Sequence, residues 1–98
     1  MANFNEIIKS DTPVLIDFYA EWCAPCRMIP PILKQVKDSM GEQLKIIKID
    51  VDKNPHVAAA YNIQSVPTIM LFKNGKQVWR NSGVSQANQL ISIVQSNI

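Results

Sequence analysis

Cys23 and Cys26 are the two cysteines of a 98-residue chain and stand three positions apart in Trp22-Cys23-Ala24-Pro25-Cys26. A disulfide across so short a loop constrains the unfolded chain by only about 2 kcal/mol, a weak staple. The spacing suits chemistry better. At the start of a helix, residues i and i+3 fall on the same side of one turn, so their sulfurs can pair and part without moving the backbone. Cys23 comes first, beside the unpaired amides and partial positive charge of the helix N-terminus, which favour its thiolate. A free cysteine is about 3% ionised at pH 7, and a pKa lowered to that pH raises the attacking form more than tenfold. Pro25 fits a first helical turn because its missing donor has no partner there anyway. Trp22 offers a flat apolar surface beside the sulfur.

Taken alone, the pair is also compatible with half of a zinc site. Zinc would need two further ligands, for which the chain offers only His56 and carboxylates, in a segment expected elsewhere in the fold. No metal is therefore expected. Asp17 is the second unusual residue, because a carboxylate in an apolar strand carries a desolvation penalty unless it is paired or used. One reading is a buried acid of raised pKa that exchanges a proton with Cys26. The other is a strand-end aspartate that reaches solvent.

These side chains need a frame. Val14 to Tyr19 is a nearly continuous apolar run behind Pro13, the pattern of a central strand covered on both faces. Ile29, Leu33, Val36 and Met40 recur at helical spacing before Gly41, with a kink expected at Pro30 and Pro31. Phe4, Ile7 and Ile8 predict a short first helix, and Leu44 to Val51 a second strand. Asn54 and Pro55 supply an N-cap and N1 proline for a short helix ending near Asn62. Thr68–Phe72 and Gln77–Arg80 flank Asn74-Gly75, a hairpin signal that makes these strands antiparallel. Ser85 is placed to cap a last helix with Ala87, Leu90, Ile91, Val94 and Ile98 along one apolar stripe. The fold class is α/β, one domain over residues 1–98 with helices on both faces of a mixed sheet. Hydrophobic residues at 47% and charged residues at 18% suit a globular domain.

The formal net charge of +2 is spread along the chain without a basic run, which argues against nucleic acid. No segment has the apolar length to span a bilayer, and the first residues lack an export pattern. A cytoplasmic location and a monomer are expected.

The segment VLIDFYAEWCAPCRMIPPIL, Val14 to Leu33, resembles the active-site segment of the thioredoxin family. The likeness extends through Lys48 to Pro55, Ser65 to Thr68, Phe72 to Lys76 and on to Gly83. It implies a thioredoxin fold and protein-disulfide reduction, with Cys23 attacking a substrate disulfide and Cys26 resolving the mixed disulfide. It also implies disulfide-containing client proteins, recycling by an NADPH-dependent flavoprotein thioredoxin reductase, and no cofactor on the chain itself. By the same likeness the bond before Pro67 is cis and exposes the Val66 backbone to substrate. Lys48 approaches Asp17, although a strand lysine is more often a solvated charge. Gly83 and Val84 join Trp22, Ala24 and Pro25 in the docking surface.

Departures accompany the likeness. Ala24 replaces the glycine common between the cysteines, which bears on redox potential. Tyr19 stands where tryptophan is frequent, and Pro30 adds a proline beside Pro31. The family's N-terminal edge strand has only Met1, Ala2 and Asn3 to form it, so the expected sheet has four strands with at most a stub of a fifth. His56 is expected on the surface and Trp79 in sheet packing. The rival readings are an oxidase or isomerase of the same fold, and a binding scaffold that does not use its cysteines.

Overall fold

In the computed structural model, which describes residues 3–98, the apolar run after Pro13 forms strand β1 (Val14–Tyr19), buried until its last residue. Strands β2 (Lys45–Asp50), β3 (Thr68–Lys73) and β4 (Lys76–Ser82) complete a sheet of order β2-β1-β3-β4. β2 runs parallel to β1 with Asp17 opposite Lys48, and β3 runs antiparallel to it with Asp17 opposite Ile69. Four strands are present among the described residues; of the three positions expected to carry a stub, Asn3 caps the first helix instead, and Met1 and Ala2 lie outside the described residues.

β3 and β4 join through Asn74-Gly75, whose φ values of 53° and 81° are those of a type I′ turn matching the twist of a hairpin. The turn is tied down by the Asn74 amide donating to the Ser10 carbonyl (2.8 Å) and the Gly75 amide to the Ile8 carbonyl (2.9 Å).

Strand side chains alternate between faces, and the core divides accordingly. On one face Leu15, Ile69 and Leu71 pack under helices α2 (Ile29–Met40) and α4 (Ala87–Gln95), which contribute Ile29, Leu33, Val36, Met40, Leu90 and Val94. On the other, Val14, Ile16, Phe18, Met70 and Phe72 pack under α1 (Phe4–Ile8) and α3 (Pro55–Ala60). Phe4 anchors this side with ring centroids 5.0 Å from Tyr61 and 5.7 Å from Phe72. Asp17 thus shares the face of Leu15 and lies on the α2 side.

Several local expectations are corrected. Pro30 and Pro31 do not kink a continuous α-helix; Pro25–Met28 form a tighter 3₁₀ turn, and α2 begins afresh at Ile29 with the prolines in its first turn. There their missing amides leave no broken bond. Asn54 occupies the N-cap position of α3, but its side-chain amide donates to the Asp50 carbonyl (3.0 Å) instead of capping. Ser85 does not cap α4: it is buried, its hydroxyl accepts from Asn81 Nδ2 (2.9 Å), and Gln86 takes the N-cap position. Ile98 lies beyond α4 and is exposed, so the apolar stripe ends at Val94.

Candidate active site

The chain leaves β1 at the sheet end and passes through a turn over residues 20–24 into the 3₁₀ segment, and Cys23 and Cys26 meet across that junction as a disulfide with Cα atoms 5.3 Å apart. Only Cys26 belongs to the 3₁₀ turn; Cys23 stands just before its N-cap Ala24, held by its amide donating to the Ala20 carbonyl at 3.2 Å, so the pair straddles the helix start instead of sharing the single helical turn expected from the sequence. The pair packs with Ala20 against Tyr19, Val51 and Val66, and both cysteines are nearly enclosed, 4% and 5% exposed. The Cys26 backbone amide donates to Cys23 Sγ at 3.2 Å. In the reduced protein that amide is a fixed donor for a Cys23 thiolate, the form it favours.

The two sulfurs meet different surroundings. Cys23 Sγ lies 3.7 Å from the Val66 carbonyl oxygen. Cys26 instead lines a chamber of about 240 Å³ whose walls include Asp17, Lys48, Tyr19, Arg27 and Pro30. Asp17 is 2% exposed, so the solvent-reaching alternative is overturned. Its Oδ1 is buried without a hydrogen-bond partner. Burial pushes its carboxyl up from 3.8 to about 6, with the Lys48 charge pulling the other way. Lys48 is Asp17's neighbour across the β1–β2 ladder, yet its side chain is exposed and the two form no ion pair within 4.0 Å. The cation acts at a distance, too weakly to offset desolvation.

The rim comes from three further segments. The Val66–Pro67 bond is cis, with Pro67 buried and Val66 half-buried beside Cys23. Gly83, at φ 97°, donates its amide to the Pro67 carbonyl at 2.8 Å, a conformation that makes a side chain there strained. Trp22 is 70% exposed, and Ala24 and Pro25 are also on the surface. Val84 is half-buried and packs with the α2–α4 core.

Sequence reasoning missed Asp52, whose Oδ2 accepts from Trp22 Nε1 at 2.8 Å and fixes the indole. It also missed Asp50, whose Oδ1 accepts the amides of Asp52 (2.9 Å) and Lys53 (3.3 Å) and so folds the turn that presents Asp52. The signal was available in part, since aspartate at a strand end before Asn-Pro marks a side-chain-closed turn. Arg27, in the chamber wall, was also missed; its guanidinium donates to the Glu21 carbonyl at 3.4 Å. His56 is exposed on α3, and Trp79 packs against the α2–α4 core as sheet packing requires. Among the described residues no group of three or more His, Cys, Asp or Glu side chains could hold a metal ion, and no helix is long and apolar enough to cross a membrane.

Comparison with known proteins agrees with this geometry. The thioredoxin family model matches residues 1–96. A thioredoxin of Rickettsia bellii is 46% identical over 95% of this chain and 89% of its own length. A thioredoxin-like protein of Synechocystis is 53% identical over 96% of this chain and 90% of its own length. The crystal structure of chloroplastic thioredoxin z superposes with a TM-score of 0.81 at 38% identity, covering 89% of this chain and 79% of that one. With the Cys23/Cys26 pair at bonding distance, these matches make the protein a thiol–disulfide oxidoreductase that acts on protein disulfides. The chain belongs to the thioredoxin family.

Proposed function

We propose that the protein reduces client disulfides through Cys23, resolves through Cys26 and uses Asp17 as the proton acceptor. The Cys23 thiolate attacks one sulfur of a client disulfide; that S–S bond breaks and the departing thiolate takes a proton from solvent. Cys26 then gives its proton to Asp17 and attacks Cys23 Sγ. The mixed disulfide breaks, the second client sulfur leaves as a thiolate that is protonated as Asp17 gives its proton back, and the Cys23–Cys26 disulfide forms. Two electrons have passed to the client. Asp17 at about 6 lies nearer the ~8.5 of a thiol than an ordinary carboxylate does, which lowers the uphill cost of the transfer. Lys48 keeps Asp17 from rising further, so that it is ionised and able to accept at neutral pH.

The single observation behind this division of labour is the asymmetry of the disulfide. One sulfur faces the Val66 carbonyl and receives the Cys26 amide; the other opens onto the Asp17 chamber. An extended client segment would lie along the Val66 backbone above Pro67, with Trp22, Ala24, Pro25, Gly83 and Val84 as the surrounding surface. We further propose recycling by an NADPH-dependent thioredoxin reductase, a reducing compartment such as the cytoplasm, and residues 1–98 working as one domain.

The test is insulin-disulfide reduction coupled to NADPH oxidation by a thioredoxin reductase. Cys23→Ser should abolish turnover, and Cys26→Ser should accumulate a mixed disulfide visible by mass spectrometry. Turnover that survives Cys23→Ser would eliminate the reading, and a parent protein without turnover would leave the scaffold alternative.

A further inference from the structure

The Val66 carbonyl owes its position beside Cys23 to a segment with little regular structure, residues 61–66 between α3 and β3. α3 ends in a left-handed turn: Asn62 has φ 54°, its amide donates to Ala59 O (3.1 Å), and the Ile63 amide donates to Ala58 O (2.9 Å). That closure satisfies two of the final carbonyls and leaves those of Tyr61 and Asn62 unanswered by the helix itself. α3 has no basic residue in its last turn. The missing cation arrives from the sheet. Arg80, half-buried on β4 opposite Met70, donates Nη1 to the Tyr61 carbonyl at 2.5 Å and Nη2 to the Asn62 carbonyl at 2.8 Å. The far end of the segment is held separately, by Thr68 Oγ1 donating to the Ser65 carbonyl at 2.7 Å.

We infer that Arg80 is a positioning residue for client recognition: its two-pronged hold on the Tyr61 and Asn62 carbonyls sets where the Val66 backbone lies against Cys23. The inference rests on the proposed role of Val66 in seating an extended client. Only a planar fork spans two successive carbonyls with two charge-assisted bonds; a lysine offers one point charge and a glutamine one neutral amide. With Arg80 replaced, the closing amides of α3 and the packing of Tyr61 and Ile63 remain, but the Tyr61 and Asn62 carbonyls lose their donors, the stretch up to Ser65 loosens, and Val66 samples positions in which client pairing is weakened. The thiol chemistry is untouched, because Arg80 neither lines the Asp17 chamber nor meets either sulfur.

The expected signature is a split. Arg80→Gln should raise KM for insulin about tenfold with kcat within twofold, and Arg80→Lys should fall between it and the parent. Turnover of a small aromatic disulfide, which does not pair along the Val66 backbone, should stay within twofold in both variants. Assays are run well below each variant's melting temperature, found by circular dichroism. If Arg80→Gln does not fold, Arg80→Lys carries the test, with faster hydrogen exchange at the Ile63 amide as its second readout. An unchanged KM for insulin, or equal losses on insulin and the small disulfide, overturns the inference. A parent protein that reduces the small disulfide but not insulin overturns the client-seating reading itself.

Discussion

Asp17→Asn should make the protein more stable at neutral pH and should leave its stability unchanged in acid. Burial holds the native carboxyl at about 6 against 3.8 in an exposed chain, which corresponds to about 3 kcal/mol. The carboxyl is 2% exposed but lines the chamber beside Lys48, and water there trims that figure. The sign follows from proton binding. Between about pH 4 and 6 the native state holds the Asp17 proton more tightly than the unfolded state does, so this group's contribution to stability declines as pH rises. Below pH 4 both states are protonated and the penalty vanishes; above pH 6 it is complete. An asparagine is neutral throughout and nearly isosteric, so it removes the penalty where there is one. For a domain whose total stability is of order 5–15 kcal/mol, the effect is large.

Urea denaturation followed by far-ultraviolet circular dichroism, with the disulfide kept oxidised in both proteins, measures the difference. The variant should gain about 2–3 kcal/mol at pH 7.5 and less than about 0.5 kcal/mol at pH 3.5. Taking the difference between the two proteins cancels the other carboxylates, most of which lose stability in acid instead. A gain that is the same at both pH values, or absent at pH 7.5, would refute the argument that burial governs this group. The same variant should slow insulin reduction by about 10²-fold at pH 7, since a positioned base is lost.

Lys48→Met removes the cation that opposes desolvation, so the Asp17 carboxyl should move further upward and the rising limb of the pH–rate profile with it; an unmoved profile would mean that Lys48 is only a surface charge. Asp52→Ala frees the Trp22 indole from its 2.8 Å hydrogen bond and should raise KM for insulin about 2–5-fold with little change in melting temperature. Leu90→Ala opens a hole between α4 and α2 at a residue 1% exposed and should cost about 2–5 kcal/mol in urea denaturation, without altering the pH–rate profile.

What could be read from the sequence was what depends on local pattern. The doubly covered strand at Val14–Tyr19, the stripe from Ile29 to Met40 and the Asn74-Gly75 turn all appear where periodicity and turn chemistry put them. The Cys23/Cys26 pairing followed from spacing, and the burial of Asp17 from its place in an apolar run. What escaped was decided by partners distant in sequence. Asn54 and Ser85 have good capping side chains, but the Asp50 carbonyl claims one and the Asn81 amide the other. No local rule ranks a cap against a tertiary hydrogen bond. The Asp52 clamp on Trp22 spans 30 residues, and the Arg80 clamp on Asn62 spans 18. Such contacts become visible only once the sheet has set which strand ends meet. Pro30 and Pro31 misled for a different reason: a proline marks a helix start as readily as a kink, and the 3₁₀ turn before Ile29 selects the start.

The placement of the acid shows how tightly register binds chemistry to fold. β1 offers its residues alternately to two faces, and only the face of Leu15 looks toward α2 and the cysteines. A carboxylate one residue earlier or later, at Ile16 or Phe18, would enter the opposite layer of Phe4, Phe72 and Tyr61, burying its charge with no path to a thiol. Moved on to Tyr19 it would keep the correct face, but that position is half-exposed. Water there would return the acid toward an ordinary carboxylate value, too low to draw a proton from Cys26 efficiently. Position 17 is where β1 meets both conditions, full burial and access to Cys26. The stability lost to its charge at neutral pH is therefore not a flaw that repacking could remove while keeping the proton transfer, because desolvation lowers stability and raises the pKa by the same amount of free energy.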